Sequence, residues 1–435
     1  MNWTTILILL NAILTIGLQV FLPKLRHYVI ATGAFIAITM STLHGESLQQ
    51  FFELLPLDVL AILLALELYG DIVIESRIFE TMTKFLATFC KGKGWLIIIS
   101  FSSITYFISC FMDNYQCLLL LIPPMLGMLR QVKVSKRYLQ IIFGLLIITS
   151  NLGGASTPIG DFPALYMLSQ GLIDFKSYLL NTTPLLLISF TLCVSIAMAF
   201  YRFRPLKSTS QEEQTSVIFT RNLYRNIKID WKILFPALLI FIGMSYFWIN
   251  GYDATKVAIG GFLLLGLCMK YGQIAEEKIR NKNASTFLFY LFLFVIVASI
   301  QKTGILNQLA DYLMTFKENK QLMLILFITA TTIVTGVVSA GPSTIAMFPI
   351  VQIISPIYPN HMVVTCFVLS ICAGSSLFLT SATAGPLMSR LTDQYNVVAD
   401  TQKYSYTFRD YLLPGFIGAT TIYLVNLAFI FITVK

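Results

Sequence analysis

Charge is what this chain has least of. Only 12% of its 435 residues are Asp, Glu, Lys or Arg, about half of the roughly 25% found in a soluble domain. Set against 56% apolar residues and a mean hydropathy of +0.76, that scarcity excludes a water-soluble enzyme, a disordered chain and a nucleic-acid binder, despite a net charge of +9. It leaves an integral membrane protein. The three histidines (His27, His44, His361) stand at the ends of apolar runs and read as interfacial residues, not metal ligands. The seven cysteines form no C-x-x-C pair, which argues against a zinc site or a disulfide framework. A Walker A loop, H-E-x-x-H and a nucleophile elbow are missing too, so no enzyme chemistry and no cofactor is expected. Lys and Arg are absent from Trp95 to Leu129, Tyr138 to Phe175 and Gln321 to Ser389. An anion held in those segments would need half-helix N-termini and bound cations.

What the chain has in plenty is apolar runs long enough to span a bilayer, which takes about 20 residues. They fall at roughly 3 to 23, 28 to 43, 57 to 74, 179 to 200, 232 to 249, 255 to 270, 286 to 300 and 411 to 432. The first lacks a basic leader and a cleavage site and reads as a retained helix. Residues 95 to 129 and 321 to 358 are broken near the middle, at Met112-Asp113-Asn114-Tyr115-Gln116 and Ser339-Ala340-Gly341-Pro342-Ser343, and read as re-entrant hairpins. Residues 138 to 170 and 361 to 390 are helices interrupted at Asn151 to Asp161 and from Ala373-Gly374-Ser375-Ser376 onward. Such breaks survive at membrane depth only inside protein or beside a water-filled cavity.

The order recurs, so the expected fold is an all-α membrane protein of two inverted repeats, each with five spans, a re-entrant hairpin and a broken helix. The boundaries are 1–200 for the first repeat, 201–231 for a cytoplasmic linker and 232–435 for the second repeat. Amphipathic stretches, Glu75 to Lys93 and Gln301 to Lys320, follow the third span of each half and read as interfacial. An odd number of crossings per half turns the second half over, a common secondary-transporter plan. Under this topology every Lys and Arg except Lys176, Lys256, Lys302, Lys317, Lys320 and Lys435 falls on one side. Basic loops are cytoplasmic, so the reading is a multi-pass protein of a cell membrane, the prokaryotic inner membrane, with both termini outside.

Carboxylates near the bilayer centre cost roughly 2.5 to 3.5 kcal/mol on insertion scales and are therefore functional candidates. Asp113 and Asn114 sit at the first hairpin tip, and Asn151, Gly153, Gly154, Thr157 and Asp161 lie in the first helix break. Helix capping is the alternative role for Asp113 and Asp161. Glu67 and Asp71 share a helix face; Glu67 is a candidate proton relay or a paired carboxyl, and Asp71 is expected to reach toward the interface. The second half offers hydroxyls alone: Ser339, Ser343, Thr344, Ser375, Ser376, Thr380, Ser381 and Thr383. Membrane-helix hydroxyls commonly bond their own backbone.

Phe111-Met112-Asp113-Asn114, Leu121-Ile122-Pro123, the run Thr149-Ser150-Asn151-Leu152-Gly153-Gly154-Ala155-Ser156-Thr157-Pro158-Ile159-Gly160-Asp161-Phe162-Pro163 and Gly171-Leu172-Ile173-Asp174-Phe175 together resemble the ion-transporter superfamily. Its domain is citrate-transporter-like, and the resemblance is to the sodium/proton antiporter and arsenite-efflux branches. The resemblance implies a secondary active transporter of a small ion, coupled to sodium or protons. It implies an ion or substrate site at Asp113, Asn114, Asn151, Gly153, Gly154, Thr157 and Asp161, with a sodium ion at Asp113, Asn114 and Asn151. Related alternatives are an arsenite or di/tricarboxylate carrier, and an uncoupled channel or non-transporting sensor on the same scaffold. Expected partners are membrane lipid, the small ion and a second copy of the chain as a homodimer, with no nucleic acid. Two departures stand out: Phe162-Pro163-Ala164 replaces the family's Pro-Pro-Asn, and Ala340-Gly341 and Cys372-Ala373-Gly374-Ser375-Ser376 replace Asp-Asn and Gly-Gly-Asn patterns.

Overall fold

The computed structural model describes all residues except 1–2, 22–24, 44–48, 50–52, 54, 130–133, 204–217, 219–226, 269–284, 383, 396, 400–401 and 435. Most of the expected linker, and Thr383, therefore lie outside the described residues. The described residues are helical apart from loops and a two-residue hairpin of Val398–Ala399 against Gln402–Lys403. The first half contains α1 (Trp3–Phe21), α2 (Arg26–Leu43), α3 (Leu57–Glu75), α4 (Ile78–Cys90), α5 (Gly94–Ser109), α6 (Asn114–Leu129), α7 (Lys136–Ser156), α8 (Phe162–Ser169), α9 (Phe175–Asn181) and α10 (Thr183–Phe203). After the linker come α11 (Trp231–Ile249), α12 (Ala254–Cys268), α13 (Ser285–Lys302), α14 (Ile305–Met314), α15 (Lys320–Val338), α16 (Ala340–Ile354), α17 (Met362–Ser375), α18 (Gly385–Gln394) and α19 (Phe408–Thr433).

Among the described residues six helices are long and apolar enough to cross a membrane, seven if the bent pair Phe287–Lys302 and Ile305–Met314 is one span. The chain is a multi-pass helical membrane protein. The expected crossing at α17 is a shorter helix that ends at a break, and α5 and α6, the arms of the expected first hairpin, are shorter helices that meet at its tip. Both arms of the second hairpin, in contrast, are long enough to span.

Local chemistry places the breaks. Pro158 disfavours helical backbone at the residue before it, and Thr157 is extended at φ −128°, ψ 154°, which ends α7 at Ser156. Asp161 restarts the chain by accepting the Phe162 N–H at 2.8 Å, with Pro163 in the first turn of α8. Asp113 caps α6 in the same way through the Tyr115 N–H at 2.8 Å. At the second tip a single residue, Ser339, turns the chain at φ 84°, ψ 163°. That is a region a non-glycine residue occupies at a cost of order 1–3 kcal/mol.

The broken helices form the centre. Helix α7 is mostly buried, whereas Phe175–Arg202 and α11 are mostly not, and every residue of α17 is buried. Helix α7 packs on α5, α10 and α19, and α17 packs on α15, α16, α19 and α7. Lipid supplies little hydrophobic drive between helices, so close packing at small residues does the work. Where α7 meets α19, a Cβ on Gly144 would lie 2.3 Å from Pro414 and one on Gly418 would lie 2.5 Å from Ile148. Around this centre α2 packs on α13 while α12 packs on α3, α1 on α13 while α11 packs on α3, and α6 on α18 while α8 packs on α16.

Candidate functional site

The first hairpin tip and the first helix break meet through buried amides and hydroxyls. Asn114 is the first residue of α6 and 2% exposed. Its Oδ1 accepts from the Ser109 Oγ at 2.5 Å, and that hydroxyl also lies 2.8 Å from the Ser150 carbonyl. Its Nδ2 donates to Asn151 Oδ1 at 3.4 Å, and Asn151 Nδ2 donates to Ser376 Oγ at 3.2 Å. The Ser376 carbonyl in turn accepts from the Tyr411 hydroxyl at 2.8 Å. One hydrogen-bonded chain thus runs from α5 through α6 and α7 to the second helix break and α19. Asn114 and Asn151 each accept and donate in it, so the chain satisfies buried polar groups that would otherwise be costly.

The glycines explain how the backbones come so close. A Cβ on Gly153 would lie 2.2 Å from the Tyr106 carbonyl oxygen, and one on Gly154 would lie 2.5 Å from Asn114 Oδ1 and 3.2 Å from the Asp161 Cβ. One on Gly160 would meet the carbonyl oxygens of Gly154, Ser109 and Cys110 at 2.5, 2.8 and 2.9 Å. The Thr157 hydroxyl donates to the Cys110 carbonyl. Asn114, Asn151, Gly153, Gly154, Thr157, Asp161 and Ser376 therefore belong to one cluster, rich in oxygen and without Lys or Arg. Oxygen-rich clusters of this kind suit hard cations.

Other expected residues sit elsewhere. Asp113 is exposed at the tip, capping α6, while its neighbour Asn114 turns inward. Thr380 is exposed and Ser375 bonds its own helix at the Cys372 carbonyl, 3.1 Å away. At the second tip Ser343 donates to the Ser339 carbonyl at 2.7 Å and Thr344 to the Ala340 carbonyl at 2.7 Å, while Thr335 donates to the Ser343 hydroxyl at 2.9 Å. These hydroxyls mainly hold the tip together. Ser381 braces the second break, bonding the carbonyls of Gly374, Ser375 and Phe378 at 3.1, 3.3 and 2.8 Å.

Glu67 is half-buried in α3. One turn on, Asp71 corrects the expectation that it reaches for the interface: its Oδ1 accepts from Gln116 Nε2 of the hairpin at 2.8 Å. A carboxylate inside the protein bonds a neighbouring amide more readily than it stretches past apolar surface. Ser109, Tyr411 and Gln116 are the participants that sequence reasoning missed; Ser109 stands one turn before the tip, where a hydroxyl was a usable signal. No group of three or more His, Cys, Asp or Glu side chains fit to hold a metal ion occurs among the described residues.

Residues 6–384 match the citrate transporter family, CitMHS. The magnetosome protein MamN of Magnetospirillum gryphiswaldense is 23% identical over 423 residues, covering 92% of this chain and 94% of its own. A 46 kDa membrane protein of Mycobacterium leprae is 22% identical over 364 residues, 82% of this chain and 83% of that one. The sodium/proton antiporter 1 of Arabidopsis thaliana is 22% identical over 250 residues, 56% of this chain and 42% of the plant protein. With a family match running from the first span through the second helix break, this chain belongs to the citrate transporter (CitMHS) family of membrane transporters.

Proposed function

We propose that the protein is a cation-coupled secondary carrier built from two inverted repeats, 1–200 and 232–435, exchanging sodium for protons across a cell membrane. The observation that carries this reading is the Asn114–Asn151–Ser376 chain, an oxygen-rich cluster without a basic residue where the two halves meet. Likeness to a plant sodium/proton antiporter supports the coupling ion. The family's description as citrate transporters supports a second reading, in which the same ions drive a carboxylate.

The repeat reading is supported by three reciprocal packings between the halves: α2 on α13 with α12 on α3, α1 on α13 with α11 on α3, and α6 on α18 with α8 on α16. It is supported again at the turn after the third helix of each half. Arg77 and Gly304 both adopt left-handed backbone, at φ 57° and 71°. The hydroxyls of Ser76 and Thr303 both donate to the carbonyl three residues back, at 2.6 Å, and both accept from the N–H two residues on, at 3.4 Å.

Reconstituted protein, given imposed gradients of sodium, lithium, arsenite and dicarboxylates, is expected to move one of these ions; no flux of any would end the proposal. Orientation has its own test. Cysteines placed at Ser208 and Gln211 are expected to be shielded from an impermeant thiol reagent added outside intact cells, while one at Lys317, which is exposed, reacts. The reverse labelling pattern would invert the topology. Asp113→Asn keeps the cap, since Asn caps as well as Asp, but removes a charge from the tip. Ion-driven flux is expected to vanish with folding intact, and unchanged flux would reduce Asp113 to a cap.

A further inference from the structure

Hydroxyls on apolar helices usually donate to the carbonyl three or four residues back. Helix α15 follows this rule at three of its threonines: Thr329 and Thr332 donate to the carbonyls of Ile325 and Ile328 at 2.6 and 2.8 Å, and the Thr335 hydroxyl, shared with Ser343, lies 2.8 Å from the Thr331 carbonyl. Thr331 breaks it. Its Oγ1 is enclosed, the residue is 0% exposed, and it has no hydrogen-bond partner. In α5 the same is true of Ser102 and Thr105, both 0% exposed. The positions correspond: Thr105 lies eight residues before Asp113 at the first tip, and Thr331 eight before Ser339 at the second. A buried polar group left unpaired is costly, and finding it at matching places on both hairpins calls for a common cause.

Resting on the antiporter reading, we propose that these hydroxyls are the stepping stones of two proton paths. One climbs α5 to the central cluster, and the other climbs α15 to the second hairpin tip. On α5, Ser102, Thr105 and Ser109 fall on one helix face and climb about 10 Å toward the tip at 1.5 Å per residue. Ser109 is already bonded to Asn114, so the line ends at the chain that crosses between the halves. On α15, Thr331 and Thr335 fall on one face, and Thr335 is bonded to Ser343 of the second tip. Neighbours on these lines are about 6 Å apart, a gap bridged by one water that donates to one hydroxyl and accepts from the next. A proton entering at one end is taken up by the first water, each hydroxyl passes its own proton on as it receives another, and one leaves at the far end. Every hydroxyl is regenerated, and the only net change is the position of one proton. The carboxyl beside the inner end of the first line is Asp161, which meets Asn114 at Gly154; the thiols of Cys117 and Cys110, which donate to the Thr105 and Tyr106 carbonyls at 3.5 and 3.3 Å, are titratable neighbours on that line.

The test uses full-length protein in vesicles loaded with a pH-sensitive dye, driven by an imposed sodium gradient. Thr105→Val and Thr331→Val keep shape and remove the hydroxyl; Thr105→Ser and Thr331→Ser keep the hydroxyl. Each valine variant is expected to lose the pH change down to the level of protein-free vesicles while still binding sodium, and each serine variant to retain it. Where valine does not fold, alanine replaces it with the same readouts. Wild-type proton flux in the valine variants, accompanied by a higher Tm, would show that the hydroxyls are dry packing defects and overturn the paths while leaving the antiporter reading intact. A wild-type protein that answers no sodium gradient with a pH change would overturn both.

Discussion

Asn151→Ala is expected to reduce gradient-driven transport about 100-fold, an energy of about 2.7 kcal/mol, while the protein still purifies as a folded species. The reason is its place in the chain: Asn151 accepts from Asn114 of its own half and donates to Ser376 of the other. Alanine removes both bonds and leaves two buried partners unpaired, at about 1–3 kcal/mol for each. Asn151→Ser restores one hydroxyl on a shorter stem and is expected to recover part of the activity. Transport assays on the three proteins, normalised to folded material by size-exclusion profile, decide the point. Full activity in Asn151→Ala would remove the chain from the mechanism.

The second large effect is on folding. Gly153→Ala puts a methyl 2.2 Å from the Tyr106 carbonyl oxygen and 2.9 Å from its carbon, both backbone atoms. No side-chain rotation relieves such a clash, so α5 and α7 must separate. Overpacking of this kind costs about 1–3 kcal/mol or more, and here it also pulls the hairpin tip away from Asn151. The control lies in the same protein: Gly243 of α11 has nothing within 4 Å of an added Cβ. There alanine raises helix propensity by about 0.5–1 kcal/mol, and Gly243→Ala is expected to be neutral or slightly stabilising. Thermal unfolding in detergent separates the two. Equal stability of Gly153→Ala and wild type would mean that the close approach of α5 and α7 is not required.

How much of this was legible in the sequence depends on the range of the interaction. Residues whose job is local were readable: Pro158 and Asp161 announce a helix end and a helix start, and the glycine run inside an apolar span announces close backbone approach. Asn114 and Asn151 could be named as candidates because an amide within an apolar stretch needs a partner. The partner itself was not readable. Asn151 and Ser376 are separated by 225 positions, and Gln116 and Asp71 by 45, and nothing in the spacing of either pair says that they meet. Asp71 illustrates the consequence: alone on its helix it reads as an interfacial carboxylate, and only the fold supplies the hairpin amide that holds it. At the first tip the sequence placed Asp113 and Asn114 side by side without saying which turns inward, since that depends on where α6 begins. In the second half the hydroxyls of Ser343 and Thr344 were candidates by clustering, yet they satisfy carbonyls of their own turn. The orphan hydroxyls of Thr105 and Thr331 were invisible, because a missing bond has no sequence signature.

The reading of the whole molecule as a coupled carrier stands or falls on uphill movement. Vesicles containing the wild-type protein, at equal internal and external pH, are given an inward sodium gradient with the membrane potential clamped. The account predicts that protons leave the interior against the pH difference they create, until the proton gradient balances the sodium gradient, and that collapsing the sodium gradient reverses the flow. Proton movement that only ever dissipates an imposed pH difference, whatever the sodium gradient, would contradict it and mark the protein as a channel.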